Sequence, residues 1–237
     1  MATYETVMEE LRSQGTPQNA KIYRRHGAGG EIFGVSFATL GALKKKLKTD
    51  HDLARALWAS GSYDARVLAT MIADPQQMTA ADLDAWAATA DSYPVADALA
   101  RNLAARLSPP PWETARRWIA SPDEWVAYAG WQLLSILALQ DGSADDEALR
   151  DVLRDIEGRI HGSQNRVRYG MNSAVIAIGS RSPALAEAAT ATAGRIGKVE
   201  VDHGQTDCKT PDAGAYIERI WARKTSKAGK TSKGKAA

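Results

Sequence analysis

Ala65-Arg66-Val67-Leu68-Ala69 is answered by Ala96-Asp97-Ala98-Leu99-Ala100, Ala127-Tyr128-Ala129-Gly130-Trp131 and Arg168-Tyr169-Gly170-Met171, each a run of small and apolar residues around one changing polar or aromatic side chain. Arg66 to Asp97 and Asp97 to Tyr128 are each 31 residues apart, and Tyr128 to Tyr169 are 41 apart. Those periods belong to stacked helical repeats rather than to strands or nucleotide-binding units. The chain therefore reads as all-α, a right-handed or otherwise curved α-solenoid in which each helix pair buries its apolar stripe against the next. One equivalent position per repeat then lines up along a concave groove, so Arg66, Asp97, Tyr128 and Tyr169 are expected to line it together.

Helix punctuation supports this reading along the whole chain. Ser121-Pro122-Asp123-Glu124 places a capping Ser, a Pro at the first helical position and a Glu three residues after the cap, which satisfies or tolerates the free amides of a helix start. The helix that follows carries Val126, Ala129, Gly130, Leu133, Leu134 and Leu137 at intervals of three and four, and sets Tyr128 and Gln132 one turn apart on another face. Thr79, Ser182-Pro183 and Thr210-Pro211-Asp212 predict further helices over 80–90, 184–194 and 213–221. Only Lys198-Val199-Glu200-Val201-Asp202 alternates as a strand would, and five residues without a partner make no sheet, so a connecting loop is expected there.

Composition narrows the class. With 237 residues and 44% hydrophobic content the chain buries a sizeable core, and one repeat domain over residues 1–221 is expected. A single cysteine, Cys208, excludes an intrachain disulfide and points to a reducing compartment, here taken as the cytoplasm. Residues 1–15 carry Glu5, Glu9, Glu10 and Arg12 and lack the apolar core of a signal peptide. The densest apolar run, Leu133 to Leu139, is far shorter than the roughly 20 residues of a membrane helix. Membranes are excluded as a partner, and the chain is expected to act as a monomer.

Charge is uneven. The net value is +2, yet residues 222–237 hold Arg223, Lys224, Lys227, Lys230, Lys233 and Lys235 without an acid; subtracting those six leaves about −4 on the rest. Lacking large apolar residues, this segment reads as a flexible basic tail, either merely solvated or an arm that follows nucleic-acid phosphates.

Two other clusters yield little chemistry. Gly27-Ala28-Gly29-Gly30 lacks the Gly-Lys-Ser/Thr and the preceding strand of a phosphate loop, so it reads as a turn. Arg24, Arg25 and His26 beside it read either as contacts to a nucleic-acid backbone or as a solvated helix end. Asp202 to Lys209 gathers Cys208, His203 and two carboxylates, but without metal-ligand spacing. It is expected to be a structured loop, with neither metal nor cofactor. Trp58, Trp86, Trp118 and Trp131 fall within helical patterns and read as packing residues.

Phe33-Gly34-Val35-Ser36, the Leu40 to Leu47 helix, Asp50 to Trp58, Tyr63-Asp64-Ala65-Arg66 and the Asp91 to Leu99 segment together resemble the HEAT-like-repeat DNA alkylation repair proteins, over about residues 30 to 195. The resemblance implies HEAT-like repeats wrapped around duplex DNA and, in the family's glycosylases, hydrolysis of the bond to cationic 3- or 7-alkylated purines. Those enzymes use a Trp and an Asp four residues apart in one helix, a second Trp in a later helix and a phosphate-contacting Arg between them. Carried onto this chain, the carboxylate is Asp97, the first aromatic is Tyr93, the second aromatic position is Ser173 and the Arg position is Tyr128. Tyr93 keeps an aromatic face, whereas Ser173 cannot stack and Tyr128 cannot grip a phosphate in two places. Pro94 after Tyr93 predicts that the helix starts there.

The resemblance gives Asp97 the task of stabilising oxocarbenium charge at the sugar while the cationic base leaves as a neutral species. Its other reading is a partner of Arg101, four residues on. Arg66, Arg101, Tyr128, Gln132, Arg166, Tyr169, Asn172 and Ser173, with Lys224, Lys227 and Lys230 of the tail, are the expected DNA contacts. The resemblance implies one of two functions: an alkylpurine DNA glycosylase acting on alkylated duplex DNA, or a non-catalytic HEAT-like module that binds unusual DNA structures or a protein partner.

Overall fold

The computed structural model describes residues 2–233, with the backbone alone for residues 227–233. Among the described residues there are thirteen α-helices and no strand, so the all-α expectation is met. The chain divides into two compact units, residues 1–133 with 202–208 and residues 134–201 with 209–237. The boundary falls inside a helix, between Leu133 and Leu134.

The first unit contains α1 (Tyr4–Gln14), α2 (Pro17–Arg25), α3 (Phe37–Leu47), α4 (His51–Ala59), α5 (Tyr63–Ile72), α6 (Ala80–Ala88), α7 (Tyr93–Ala98), α8 (Trp112–Ile119) and most of α9 (Glu124–Gln140). Short polar side chains start these helices by accepting free amides. Thr16, Ser36, Asp50 and Thr79 accept from Asn19, Thr39, Leu53 and Asp82, and Thr79 and Asp82 close a reciprocal capping box. Helix α5 is the centre of this unit. All its residues are buried except Arg66 and Met71, because α3, α4 and α7 pack around it. Trp58, Trp86, Trp118 and Trp131 are all buried, and Trp58 stacks on Trp86 with ring centres 4.4 Å apart.

Helix α9 starts two residues later than the sequence suggests. Asp123, not Ser121, caps it, accepting the amides of Trp125 and Val126 at 2.9 and 3.0 Å, while the Ser121 hydroxyl accepts the Asp123 N–H. A carboxylate is the stronger acceptor for the positive end of the helix dipole.

The second unit holds α10 (Asp146–Arg159), α11 (Asn165–Gly179), α12 (Pro183–Ile196) and α13 (Ala213–Lys233). Ser182 caps α12 through the Leu185 amide, with Pro183 at the first position. Arg181 ties the α9–α10 turn by donating to the carbonyls of Ala138, Asp141, Gly142 and Ala144 and pairing with Asp146 at 3.3 Å. Residues 198–202 form no strand, in keeping with a connecting loop.

The basic segment departs from expectation. Helix α13 does not stop near residue 221 to release a tail; its backbone continues helical to Lys233. Trp221 Nε1 donates to the Gly179 carbonyl at 2.8 Å, and Lys224 Nζ donates to the Ser180 carbonyl at 2.6 Å while lying over the Trp221 ring. Both bonds fall on the C-terminal end of α11, where orphan carbonyls and the negative pole of the helix attract a cation. Residues 234–237 lie outside the described residues.

Candidate functional site

Tyr93 opens α7 behind Ser92 with Pro94 in the first turn, as Pro94 predicted. Asp97 follows one turn later on the same face. Directly after Ala98 the helix widens into a π-type turn, Leu99–Leu103, and then tightens into a 3₁₀ turn, Ala104–Arg106. Such expansions cluster at functional positions. The widened turn is anchored by buried Leu99, Ala100 and Leu103, and Asn102 in it donates to Thr70 of α5 at 3.0 Å.

Around Tyr93 the first unit assembles an aromatic and polar cluster from three sequence regions. His26, the C-cap of α2, brings Nδ1 to 3.1 Å from the Tyr93 hydroxyl. Gly27, at φ 81°, lies so near the Tyr93 ring that a Cβ there would stand 3.3 Å from it, so the turn at Gly27 lets the chain pass the ring. Tyr128 of α9 meets Tyr93 edge to face at 6.3 Å between ring centres. Beneath, Tyr63 of α5 is pushed to a very high phenol pKa, first by burial and then by the neighbouring Tyr23, Asp64, Tyr93 and Asp97, so it stays a neutral hydroxyl.

Asp64, next to Tyr63, is wholly buried and accepts the amides of Phe33, Gly34 and Val35 at 2.7, 3.2 and 2.7 Å. Burial raises its carboxyl pKa against the opposing pull of those three donors. The amide of Tyr63 donates to the Glu31 carbonyl at 2.9 Å. One residue pair at the start of α5 therefore holds the whole 31–35 strip that follows the glycine turn.

The expected DNA contacts separate into exposed and interior positions. Asp97 has a third of its side chain exposed and pairs with Arg101 at 3.5 Å, which realises its second reading. Arg101 is largely exposed. Arg66 is nearly buried: it pairs with Asp91 at 3.3 Å and lies over the Trp58 ring, so it locks α5 to the loop before α7 rather than facing solvent. Tyr128 and Gln132 are buried, 3% and 6% exposed, with Gln132 donating to the Tyr128 hydroxyl at 2.7 Å. These two are core residues, because α9 is apolar on nearly every face and turns both inward.

In the second unit, Arg166, Tyr169 and Ser173 are half-buried on α11, and the Ser173 hydroxyl donates back to the Tyr169 carbonyl at 3.0 Å. Asn172 is buried and donates to the Pro211 carbonyl at 3.0 Å, which fixes the approach to α13. Lys224 is committed to the α11 terminus as described, and the side chains of Lys227 and Lys230 lie outside the described residues. Among the described residues, no group of three or more His, Cys, Asp or Glu could hold a metal ion, and no helix is long and apolar enough to cross a membrane.

Sequence reasoning missed His26, Gly27, Tyr63 and Asp64 as parts of this cluster. Asp64 alone left a signal: a carboxylate inside an otherwise apolar helix stretch demands buried donors.

Thirteen α-helices and no strand among the described residues, with an aromatic and a carboxylate one turn apart on α7, define an all-helical protein. A profile of the DNA alkylation repair enzyme family matches residues 7–217. The chain belongs to that family. It is similar to two uncharacterized proteins, Lin0241 of Listeria innocua serovar 6a and Lmo0209 of Listeria monocytogenes serovar 1/2a, each 28% identical over 231 residues spanning 92% of this chain and 97% of the relative. It also superimposes on a solved structure from a family of proteins related to the HEAT-like repeat DNA glycosylases with affinity for branched DNA structures. That match has a TM-score of 0.85 and 31% identity, and covers 94% of this chain and 95% of the other. The HEAT-like fold is thereby established.

Proposed function

We propose that this protein binds branched DNA through the surface around Tyr93, Asp97 and Arg101, without cleaving the glycosidic bond. The observation that carries this reading is the state of the position expected to grip phosphate. It is Tyr128, sealed in the core and bonded to Gln132. The second aromatic position is Ser173, which has no ring to press on a lesion. Arg101 offsets the charge of Asp97, which reduces repulsion of phosphates but blunts the carboxylate as a stabiliser of an oxocarbenium-like sugar. The affinity for branched DNA of the structurally similar family supports the choice of ligand.

The glycosylase reading keeps one specific support. Asp97 follows Tyr93 by one helical turn and is partly open to solvent, as an electrostatic stabiliser acting on a cationic alkylpurine nucleotide in duplex DNA would be. Action as a monomer in the cytoplasm is part of both readings and rests on composition.

Two assays separate them. Anisotropy titrations with a labelled four-way junction and a duplex of equal length should give tighter binding to the junction. Incubation with methylated duplex DNA should release no 3- or 7-methylpurine. Measurable release that falls on the order of 100-fold in Asp97→Asn would establish the enzyme instead.

A further inference from the structure

A cationic cluster lies on α2 in the turns before its C-cap His26. Lys21, Arg24 and Arg25 stand at positions i, i+3 and i+4, so they share one helical face. With Gln205, from the 202–208 loop that belongs to the same unit, they line an open cleft of about 430 Å³. The loop is braced for this: Asp202 accepts the Gly204 amide at 2.7 Å, and Thr206 bonds both the His203 carbonyl and the Cys208 amide. A Cβ at Gly204 would stand 3.7 Å from the Arg25 carbonyl, which puts the loop tip against the end of α2.

Arg101, Arg117, Arg154, Arg159 and Arg195 each hold a carboxylate, whereas none of the side chains of Lys21, Arg24 and Arg25 has an ion-pair or hydrogen-bond partner among the described residues. Helix α2 has no acidic residue and buries none of its residues fully. Like charges at i and i+4 destabilise an isolated helix. The helix dipole rationalises Arg24 and Arg25 in the last turn, but not their convergence with Lys21 and a side-chain amide in one cleft. Lys21 to Arg25 spans about 6 Å of helix axis, and phosphates recur every roughly 3.4 Å of duplex axis along one DNA strand, so the trio can reach two to three neighbouring phosphates.

We infer that the Lys21, Arg24, Arg25 and Gln205 cleft is a phosphodiester-binding subsite that holds a DNA strand running away from the Tyr93 and Asp97 cluster. This inference rests on the DNA-binding reading above. Because α2 carries the cleft on its exposed face and delivers His26 to Tyr93 at its end, one rigid helix couples backbone grip to the cluster.

The test compares the full-length protein with Lys21→Gln/Arg24→Gln/Arg25→Gln, using a labelled four-way junction and a duplex across a salt series. The slope of log K against log salt should fall by about 2 to 3, at about 0.9 for each phosphate no longer neutralised, and affinity near 0.15 M salt should drop about 10- to 100-fold. Lys21→Arg/Arg24→Lys/Arg25→Lys should keep the wild-type slope, because charge is preserved. Gln205→Glu should weaken binding without disturbing α2, and unchanged melting curves would confirm intact folds. A wild type that binds DNA while the triple Gln variant keeps the same slope overturns the subsite alone. A wild type that binds neither DNA overturns the DNA reading and the subsite together.

Discussion

Asp64 concentrates the residue-scale argument. It sits in the Tyr63-Asp64-Ala65-Arg66 stretch, yet its purpose is set 29 to 31 residues upstream, where three consecutive amides need an acceptor inside the core. Leaving a buried donor unpaired costs about 1–3 kcal/mol, and the three share one loop, so the losses do not add fully. Asp64→Ala should therefore destabilise the protein by about 3 kcal/mol, seen as a lower urea midpoint. Asp64→Asn, which keeps one acceptor oxygen, should lose less. Equal midpoints for wild type and Asp64→Ala would mean that the 33–35 strip is not held by this carboxylate. The same scale explains which site residues could be read in advance. Tyr93 and Asp97 are neighbours along one helix, so spacing places them; His26 joins them only because α2 ends beside α7.

At the scale of elements, caps and glycines decide how helices meet. Some starts are legible because capping is local chemistry between residues two or three apart: Thr79 with Asp82, Ser182 with Leu185. The π-type turn after Asp97 is not legible, since nothing in Leu99-Ala100-Arg101-Asn102-Leu103 breaks a helix and the widening involves a partner, Thr70, on another helix. Gly130 shows how a repeat motif serves packing. A Cβ there would stand 2.6 Å from the Ile119 amide nitrogen and 2.8 Å from the Trp118 Cβ, so only glycine lets α9 approach the end of α8. Gly130→Ala should cost about 1–3 kcal/mol through overpacking, although alanine is the better helix former. A thermal melt at or above the wild-type midpoint would show that α8 shifts without penalty.

At the scale of the molecule, the question is where the positive charge goes. In the sequence the C-terminal cations read as a separate arm, but Lys224 and Trp221 dock α13 onto the end of α11. Removal of residues 223–237 should then reduce stability as well as charge, by about 1 kcal/mol, or roughly 2–4 °C in melting temperature for a chain of this size. Lys224→Ala in the full-length protein should reproduce most of that shift. A truncated protein that melts as the wild type does would restore the segment to a mere appendage.

The sequence by itself determined the all-helical repeat class, several helix starts, the family and the Tyr93–Asp97 spacing, because each depends on periodicity or on residues within one turn of each other. It also placed Trp58, Trp86, Trp118 and Trp131 in the core. Tertiary structure alone decided which polar side chains face inward. Tyr128, Gln132 and Asn172 sit on helices with more than one apolar face, where period does not tell which face a neighbour covers. It alone made Arg66 a clamp on Asp91 and Trp58, and brought Gln205 to Lys21, Arg24 and Arg25. Burial and long-range convergence depend on where the chain returns in space, which no local pattern encodes.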